Sequence, residues 1–283
     1  MIPHEFCIVG LGLLGGSYAQ ALTAAGCRVT AVDVRPEAIA FAREKGWIAA
    51  GAVAGFGPLL AQADAVVLGL YPHAIVPWLR ENQRFLKPGA YLTDVCGVKR
   101  CMVGEAQALL RPDVEFIPCH PMAGREVSGV EHADAAIFRP ANFILTPTEK
   151  NTPAGIGFAE ELARTLGFAH VCRLTCEEHD KMVGYVSQLT HAIAVSLMNA
   201  NDDPHLAEYT GDSFRDLTRI AKINEDLWAE LFFSNKDLLA AEIAQFETAL
   251  TELKQKLEQD DVEGLKGLFR RSTARRRLFD KEK

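Results

Sequence analysis

The amino-acid sequence predicts an α/β protein in which a doubly wound parallel sheet is followed by an all-helical region. Short apolar runs alternate with helical stretches up to about Leu174. That alternation is typical of a parallel sheet covered by helices on both faces. Beyond Leu174 the strand-like runs stop, and helical periodicity continues to the end. We therefore expect two domains, residues 1–174 and residues 175–283.

The composition is that of a globular protein and disfavours several classes of partner. Of 283 residues, 48% are hydrophobic and 24% are charged, which supplies ample core for two domains. A formal net charge of −7 makes the chain a poor binder of nucleic acid or of anionic membranes. A C-terminal arginine cluster is an exception, which we interpret as a solvated helix face or tail: Arg270, Arg271, Arg275, Arg276 and Arg277.

The number and spacing of the cysteines, and the residues at the N-terminus, indicate the cellular compartment. The seven cysteines are scattered and form no Cys-x-x-Cys pair, so we predict a reducing environment with neither a disulfide framework nor a metal site. No charged-then-apolar signal peptide begins the chain, and no apolar run is long enough to span a bilayer. We expect a cytoplasmic protein without membrane partners.

The strands of the first domain are predicted from apolar runs. The run 65–70 is continuously apolar, as in a parallel strand buried on both faces. The predicted strands are 6–9, 27–32, 65–70, 90–95, 114–119, 142–146 and 169–174. Ligands of such sheets bind beyond the carboxyl ends of the strands. Gly10, Tyr71, 94–99 and His120 should therefore surround one crevice.

Helices are predicted between these strands. Pro36 stands where a helix would have its first residue, a position that favours proline. Pro72 ends the strand-like run before it, and Lys87-Pro88-Gly89 predicts a turn. The predicted helices of the first domain are 18–22, 36–45, 72–85, 99–110 and 154–166.

The first strand leads into a glycine pattern, Gly10-x-Gly12-x-x-Gly15, and then a helix. In this context Gly10 allows the tight turn, Gly12 lets a pyrophosphate approach, and Gly15 lets helix and strand pack closely. Asp33 ends the second strand, where a dinucleotide site places the acid that binds the ribose hydroxyls. We predict NAD, with NADP as the alternative because Arg35 would suit a 2′-phosphate. The predicted cofactor-binding residues are Gly10, Gly12, Leu13, Leu14, Gly15, Asp33, Tyr71 and Asp94.

The second domain offers two informative helices. In a predicted helix over 177–199, Ser187, Gln188 and His191 share one polar arc at about 100° per residue. Val186, Leu189, Ile193 and Leu197 form its apolar side. A second helix over 234–258 carries a narrow seam of Leu239, Ile243, Phe246, Leu250, Leu253 and Leu257. Such a seam packs against another helix, in the same subunit or in a second one.

Two sites carry candidate chemistry. His120 follows a strand end in Cys119-His120-Pro121-Met122-Ala123-Gly124, on the edge of the sheet where a cofactor would bind. Arg215 and Arg219 lie one helical turn apart. From its position alone, His120 could be structural or catalytic. For the two arginines, position alone favours a solvent-exposed helix face with an ion pair to Asp216.

Taken together, the motifs resemble the prephenate dehydrogenase family, which includes the arogenate and cyclohexadienyl dehydrogenases of tyrosine biosynthesis. The most specific pieces are His120-Pro121-Met122-Ala123-Gly124 and Phe214-Arg215-Asp216-Leu217-Thr218-Arg219-Ile220-Ala221. The glycine pattern, Asp94-Val95 with Val98-Lys99, 144–147, His179-Asp180, Ser187 with Leu189 and His191, Trp228 and Asn235-Lys236 also match.

The resemblance implies a Rossmann-type nucleotide domain, a helical dimerisation domain, and oxidative decarboxylation of a cyclohexadienol. It implies His120 as the general base, Arg219 as the holder of a substrate carboxylate, and His191 as a further substrate contact, these three being the catalytic set. His179 would position the substrate or the base. The other implied substrate-binding residues are Ser187, Gln188, Gly97, Arg125 and Arg215. A homodimer through the helical domain is expected.

Three departures from the family pattern leave the substrate open. Gly97 stands where the family usually has Ser, Gln188 and Thr190 replace residues of the usual Ser-His-Leu-Pro-His, and Arg125 adds a cation. Prephenate, arogenate and a 4-amino analogue all remain candidates. The alternatives are a β-hydroxyacid-type dehydrogenase using Lys181 or Lys222, and a non-enzymatic dinucleotide-binding protein.

Overall fold

A computed structural model describes residues 2–279 and separates the chain into two compact units, Met1–Asn235 and Lys236–Lys283. The strands are β1 Glu5–Val9, β2 Arg28–Val32, β3 Ala50–Ala52, β4 Ala65–Leu68, β5 Tyr91–Asp94, β6 Glu115–Ile117, β7 Cys119–Pro121, β8 Asn142–Leu145 and β9 His170–Arg173.

Strands β1 to β6 form one parallel sheet in the order β3-β2-β1-β4-β5-β6. This is the doubly wound Rossmann order, in which the direction of winding reverses between β1 and β4. Alternate residues of β1 face opposite sides of the sheet, so Phe6 and Ile8 join one apolar core while Cys7 and Val9 join the other. The predicted α/β fold is confirmed.

Helices cover both faces of this sheet, and after β9 the described chain contains helices without further strands. Their bounds are α1 Leu13–Ala24, α2 Pro36–Glu44, α3 Gly57–Gln62, α4 Pro72–Asn82, α5 Val103–Leu109, α6 Pro153–Leu166, α7 Cys176–Val183, α8 Thr190–Asn199, α9 Leu206–Tyr209, α10 Asp212–Thr218, α11 Glu225–Ser234, α12 Lys236–Glu258 and α13 Val262–Arg276. No helix within residues 2–279 is both long enough and apolar enough to cross a membrane.

The predicted strand 114–119 is divided between two strands, β6 and β7, because the chain changes sheets at Pro118. Pro118 has no N–H to donate to a strand partner, and its carbonyl accepts the amide of Thr146 at 3.0 Å. After it, β7 pairs antiparallel with β8, which pairs parallel with β9 in a three-stranded sheet. His120 therefore lies where the chain leaves the first sheet.

Two predicted helices also differ from the structure. The segment 177–199 is interrupted by a π-helical stretch, Gly184–Leu189, between α7 and α8. This wider stretch changes the facing of its side chains, so Gln188 is buried while Val186 is exposed. The helix expected to begin at Lys99 begins at Val103, and the backbone amides of Lys99 and Arg100 ahead of it donate to the Asp180 carboxylate.

The second unit contains α12 and α13. Asp261 begins α13 by accepting the backbone amide of Gly264 at 2.8 Å, and Arg271 of α13 bonds Glu252 of α12 at 3.1 Å. The C-terminal arginines are exposed, as expected of a solvated helix face. On α12, Phe246, Leu250 and Leu257 remain 37%, 55% and 57% exposed.

Candidate active site

The turn between β1 and α1 is shaped for a dinucleotide. Gly10 has φ +94°, a conformation that side chains rarely adopt, and a Cβ there would meet the carbonyl of Gly69. A Cβ on Gly15 would collide with the carbonyl of Gly10. A Cβ on Gly12 would meet nothing within 4 Å, so this backbone faces open space where a pyrophosphate can approach. The residues present thus fit the cofactor.

The amino end of α1 adds electrostatic attraction to this cradle. Gly12 is the N-cap and gives no side-chain hydrogen bond, so the first amides of the helix, at Leu13 and Leu14, face the cradle without a capping side chain. Asp33 follows β2, and its carboxylate accepts the backbone amides of Leu11 at 2.6 Å and Arg35 at 2.8 Å. Those bonds orient the carboxylate, while the Arg35 guanidinium donates to the Leu11 carbonyl at 3.1 Å.

The other two predicted cofactor residues lie in different surroundings. Tyr71 is the N-cap of α4 and is 42% exposed, with its ring edge-on to His73. Asp94 is fully buried, and its carboxylate accepts the amides of Cys96 and Cys119 at 2.9 Å each. The side chain of Asp94 is therefore directed into the protein, and its role in cofactor binding remains a prediction.

Asp94 forms a buried ion pair with Lys99. The Lys99 ammonium lies 2.5 Å from Asp94 Oδ2 and 2.5 Å from the Cys119 carbonyl oxygen, with both side chains fully buried. Burial by itself would lower the pKa of Lys99, but the adjacent Asp94 carboxylate raises it overall. The backbone amide and carbonyl of Cys119 are thus both fixed by hydrogen bonds. This also holds the backbone of the next residue, His120, in place.

A hydrogen-bonded relay fixes the His120 ring from its other side. His120 Nδ1 lies 2.8 Å from His179 Nε2, and His179 Nδ1 lies 2.7 Å from Asp180 Oδ1. Because a carboxylate only accepts, His179 donates from Nδ1 and its Nε2 is an acceptor. His120 must then donate from Nδ1, so its Nε2 carries a lone pair. The geometry makes Nε2 of His120 a proton acceptor.

The electrostatic surroundings keep the site histidines neutral. Burial, and then the neighbouring His179 and Lys99, hold the pKa of His120 well below the usual 6.5. Burial also lowers the pKa of His179, against the opposing effect of Asp180. Burial lowers the pKa of His191 as well, with the Ser187 carbonyl and Glu126 acting against it.

A second group of side chains lies on α8, α10 and α11. His191 donates from Nδ1 to the Ser187 carbonyl at 2.8 Å and stacks on Trp228 with ring centroids 3.6 Å apart. Arg219, just after α10, has a side chain 64% exposed and donates to Glu126 in the loop after β7. Its cationic group is thus already paired with a carboxylate of the chain.

The remaining predicted arginines make their own contacts. Arg125 bonds Asp134 at 2.7 Å, and the amide of Asp134 donates to Ser17 Oγ on α1 at 3.0 Å. Arg215 is exposed and bonds Asp212 and the Thr210 carbonyl rather than Asp216.

Gly97 and Leu231 lie between the His120 relay and the side chains around His191. A Cβ built on Gly97 would lie 3.5 Å from Leu231 Cδ2 and 3.8 Å from Nε2 and Cε1 of His120. Leu231 lies on α11, which also carries Trp228 and so reaches His191. These contacts connect the surroundings of His120 with those of His191.

Several residues of this site were missed by sequence reasoning. Asp180, Lys99 and Asn235 stood inside matching motifs without a role, and Glu126 and Leu231 carried no signal. Glu230 on α11 bonds both the amide of His73, at 2.7 Å, and its ring Nδ1, at 2.6 Å. Among residues 2–279, no cluster of three or more potential metal ligands occurs.

Comparison with known proteins decides the family. A model of the prephenate dehydrogenase nucleotide-binding domain matches residues 18–171, and a model of the prephenate dehydrogenase dimerization domain matches residues 175–271. The chain belongs to the prephenate dehydrogenase family. This family assignment excludes the alternative of a β-hydroxyacid dehydrogenase. The two candidates for its catalytic lysine, Lys181 and Lys222, are both exposed.

Individual relatives agree with this family. The prephenate dehydrogenase of Lactococcus lactis subsp. cremoris (strain MG1363) is 30% identical over 94% of this chain and 74% of its own length. The Aquifex aeolicus prephenate dehydrogenase, solved with hydroxyphenyl propionate and NAD+, matches at 29% identity and TM-score 0.88 over 99% of each chain. Synechocystis arogenate dehydrogenase matches at 25% identity and TM-score 0.83, over 98% of this chain and all of that one. The chain is an oxidoreductase of this reaction class.

Proposed function

We propose that this protein oxidises and decarboxylates prephenate or arogenate with NAD+ as hydride acceptor. The observation that carries the proposal is the His120–His179–Asp180 relay, which leaves Nε2 of His120 as a proton acceptor. A base so placed at the carboxyl edge of a nucleotide-binding sheet suits the removal of a hydroxyl proton during hydride transfer.

His120 is the general base of the proposed reaction. Its low pKa keeps it neutral near pH 7, so Nε2 can take the proton of the ring hydroxyl. His179 and Asp180 then lie where they can stabilise the imidazolium that forms. The bound nicotinamide supplies the hydride acceptor, and loss of the ring carboxylate as CO₂ makes the product aromatic.

Arg219 binds a substrate carboxylate by exchanging partners. In the structure its guanidinium is bonded to Glu126, so an entering carboxylate must replace that contact. A guanidinium can hold a carboxylate through two parallel hydrogen bonds. His191, stacked on Trp228 with Nε2 as its acceptor atom, is the second proposed substrate contact.

The cofactor preference follows from Asp33. Its oriented carboxylate can accept the ribose hydroxyls of NAD and would repel a 2′-phosphate. Arg35 is turned back onto the Leu11 carbonyl and Asp33. That arrangement supports NAD over NADP. The NAD+ complex of the Aquifex aeolicus relative supports it further.

The roles of Ser187, Gln188, Arg125 and Arg215 as direct substrate contacts remain predictions. Ser187 uses its carbonyl to orient His191. Gln188 is buried, with Nε2 donating to the Leu231 carbonyl and Oε1 accepting from Asn235. Arg125 and Arg215 are exposed and would have to leave Asp134 and Asp212 to reach a substrate.

The test is formation of reduced nicotinamide from prephenate and from arogenate, each with NAD+ and with NADP+. We expect turnover with NAD+ for at least one substrate. His120→Asn should lower kcat by about 10²- to 10⁴-fold, while binding of NAD+ measured by calorimetry is retained. NAD+ binding without turnover of either substrate by the wild type would favour the non-enzymatic alternative.

A further inference from the structure

A carboxylate from α11 occupies the amino end of α4. Glu230 Oε1 accepts the backbone amide of His73 at 2.7 Å, and Glu230 Oε2 lies 2.6 Å from Nδ1 of the His73 ring. Tyr71, the N-cap of α4, gives no side-chain hydrogen bond, and the first turn of this helix has no acidic residue. Glu230 therefore satisfies one of the free amides that a helix leaves at its start, and its charge suits the positive end of the helix dipole.

The start of α4 borders the crevice in which a dinucleotide would bind. Winding of the sheet reverses between β1 and β4, and ligands of such sheets bind at that reversal. The loop after β4 packs directly on the glycine turn. The Gly69 amide donates to the Val9 carbonyl at 2.7 Å, and a Cβ on Gly69 would lie 2.7 Å from the Gly10 carbonyl oxygen. Glu230 is thus attached to one wall of the cofactor crevice.

The helix that carries Glu230 also reaches the side chains around His191. Trp228 lies two residues earlier on α11, about 200° around the helix, and stacks on His191 with ring centroids 3.6 Å apart. α11 is therefore held by His191 on one side and by the start of α4 on the other. The side chain of Glu230 is 17% exposed and that of His73 is 68% exposed, so the His73 ring can be removed without opening the core.

We propose that Glu230 is a positioning residue that couples the cofactor crevice to the substrate side of the site. This inference rests on the proposed function. A dinucleotide bound against the loop after β4 holds the start of α4 in place, and Glu230 then holds α11 and the Trp228–His191 stack. Cofactor binding therefore raises the affinity for the cyclohexadienol, and by linkage the substrate raises the affinity for the cofactor. Glu230 does not contact His120, so the proton transfer is left unchanged.

The coupling can be measured without turnover, because NADH fills the cofactor site and cannot accept a hydride. The probe is prephenate or arogenate, whichever the wild type oxidises, and its Kd is measured by calorimetry without nucleotide and with saturating NADH. NADH should lower this Kd at least about fivefold in the wild type. In Glu230→Met, which nearly keeps the side-chain length and removes both hydrogen bonds, NADH should lower the Kd less than about twofold.

Three further variants refine the measurement. His73→Ala keeps the backbone amide and loses the ring, so it should retain part of the coupling, and it should add no further loss to Glu230→Met, whose partner contact is already absent. Glu230→Gln keeps an oxygen that can accept the His73 amide and should restore most of the coupling. Arg80→Met is the matched control, because it breaks an exposed ion pair of α4 with Glu105 on α5 and should keep the wild-type coupling. If Glu230→Met fails to fold, His73→Ala and Glu230→Gln carry the comparison.

The outcomes separate this role from the proposed function. If the wild type turns over neither substrate, both proposals fail. If it is active, a substrate Kd that NADH leaves unchanged in the wild type, or a wild-type coupling in Glu230→Met, overturns the role of Glu230 alone. A merely structural Glu230 would lower the melting temperature and raise the substrate Kd by the same factor with and without NADH. A loss of kcat as large as that of His120→Asn would also overturn the proposal, because Glu230 would then act on the chemical step.

Discussion

At the scale of single residues, proton positions decide the chemistry. The Asp180 carboxylate can only accept, and that fact fixes the tautomers of His179 and then of His120. No charge need be placed on either ring at rest. A neutral base in a buried site is also sensitive to pH, in activity and in stability.

The first prediction concerns the pH dependence of activity. His120 must be neutral to accept a proton, and its pKa lies well below 6.5 because of burial, His179 and Lys99. The acidic limb of kcat/KM should therefore have its midpoint below pH 6.5, measured with saturating cofactor. A midpoint at or above 6.5 that reports His120 would contradict the relay.

The second prediction concerns stability. The folded pKa values of His120 and His179 lie below the unfolded value of 6.5, so at acidic pH the unfolded chain binds more protons. Their contribution is fully present above pH 6.5 and is lost as the pH falls from there toward the folded values. Urea titrations should show this decline, and His120→Asn should make it shallower.

The third prediction concerns Arg219 and Glu126. Arg219→Met should raise KM by at least about 30-fold, because a charged hydrogen-bond donor to the substrate is lost. Glu126→Gln removes the competing carboxylate and should lower KM about two- to fivefold, the range expected for an exposed ion pair. An unchanged KM in Arg219→Met would exclude this residue as the carboxylate holder.

At the scale of elements, the buried Asp94–Lys99 pair joins the end of β5 to the start of β7. Lys99→Met would leave the Asp94 carboxylate buried without its cation. We expect a loss of about 3–5 kcal/mol in the free energy of unfolding. Lys87→Met, which breaks the partly exposed Lys87–Asp64 pair, is the matched control and should cost less than about 1 kcal/mol. Equal losses would show that the burial of the pair adds nothing.

The sequence was sufficient for elements whose cause is local. The apolar run 65–70, Pro36 at the start of 36–45 and the glycine pattern predicted β4, α2 and the nucleotide turn correctly. The sequence did not predict the bounds of elements that depend on residues far away in the chain. Ahead of α5, the backbone at Lys99 and Arg100 is held by Asp180, about eighty residues away, and no local pattern shows that contact. Pro118 was a local signal for the strand break, and that signal was overlooked.

The candidate site shows the same division between local and distant causes. His120 and Arg219 were proposed as site residues because their neighbours in sequence match compact motifs, and their roles remain predictions. The placements of Asp94, Gln188 and Glu126 depend on side chains far away in the sequence. The π-helical stretch that turns Gln188 inward departs from the regular 3.6-residue period on which the sequence analysis relied.

At the scale of the whole molecule, we propose a homodimer formed through the helical region. Residues 175–271 match a dimerization domain, and Phe246, Leu250 and Leu257 leave an exposed apolar stripe on α12. Leu250→Glu should place a charge in that stripe and give a monomer in light scattering after size-exclusion chromatography. Thr251→Glu, one residue further along the same helix, should remain dimeric. A dimeric Leu250→Glu would place the contact elsewhere.

The proton relay has a consequence for how such proteins can be divided. His120 lies in the part matched by one family model, whereas His179 and Asp180 lie just past the start of the other. Neither matched segment contains the whole relay. A chimera that joins this nucleotide-binding half to the helical half of a distant relative should stay active only if the hydrogen bond between His120 and His179 is preserved.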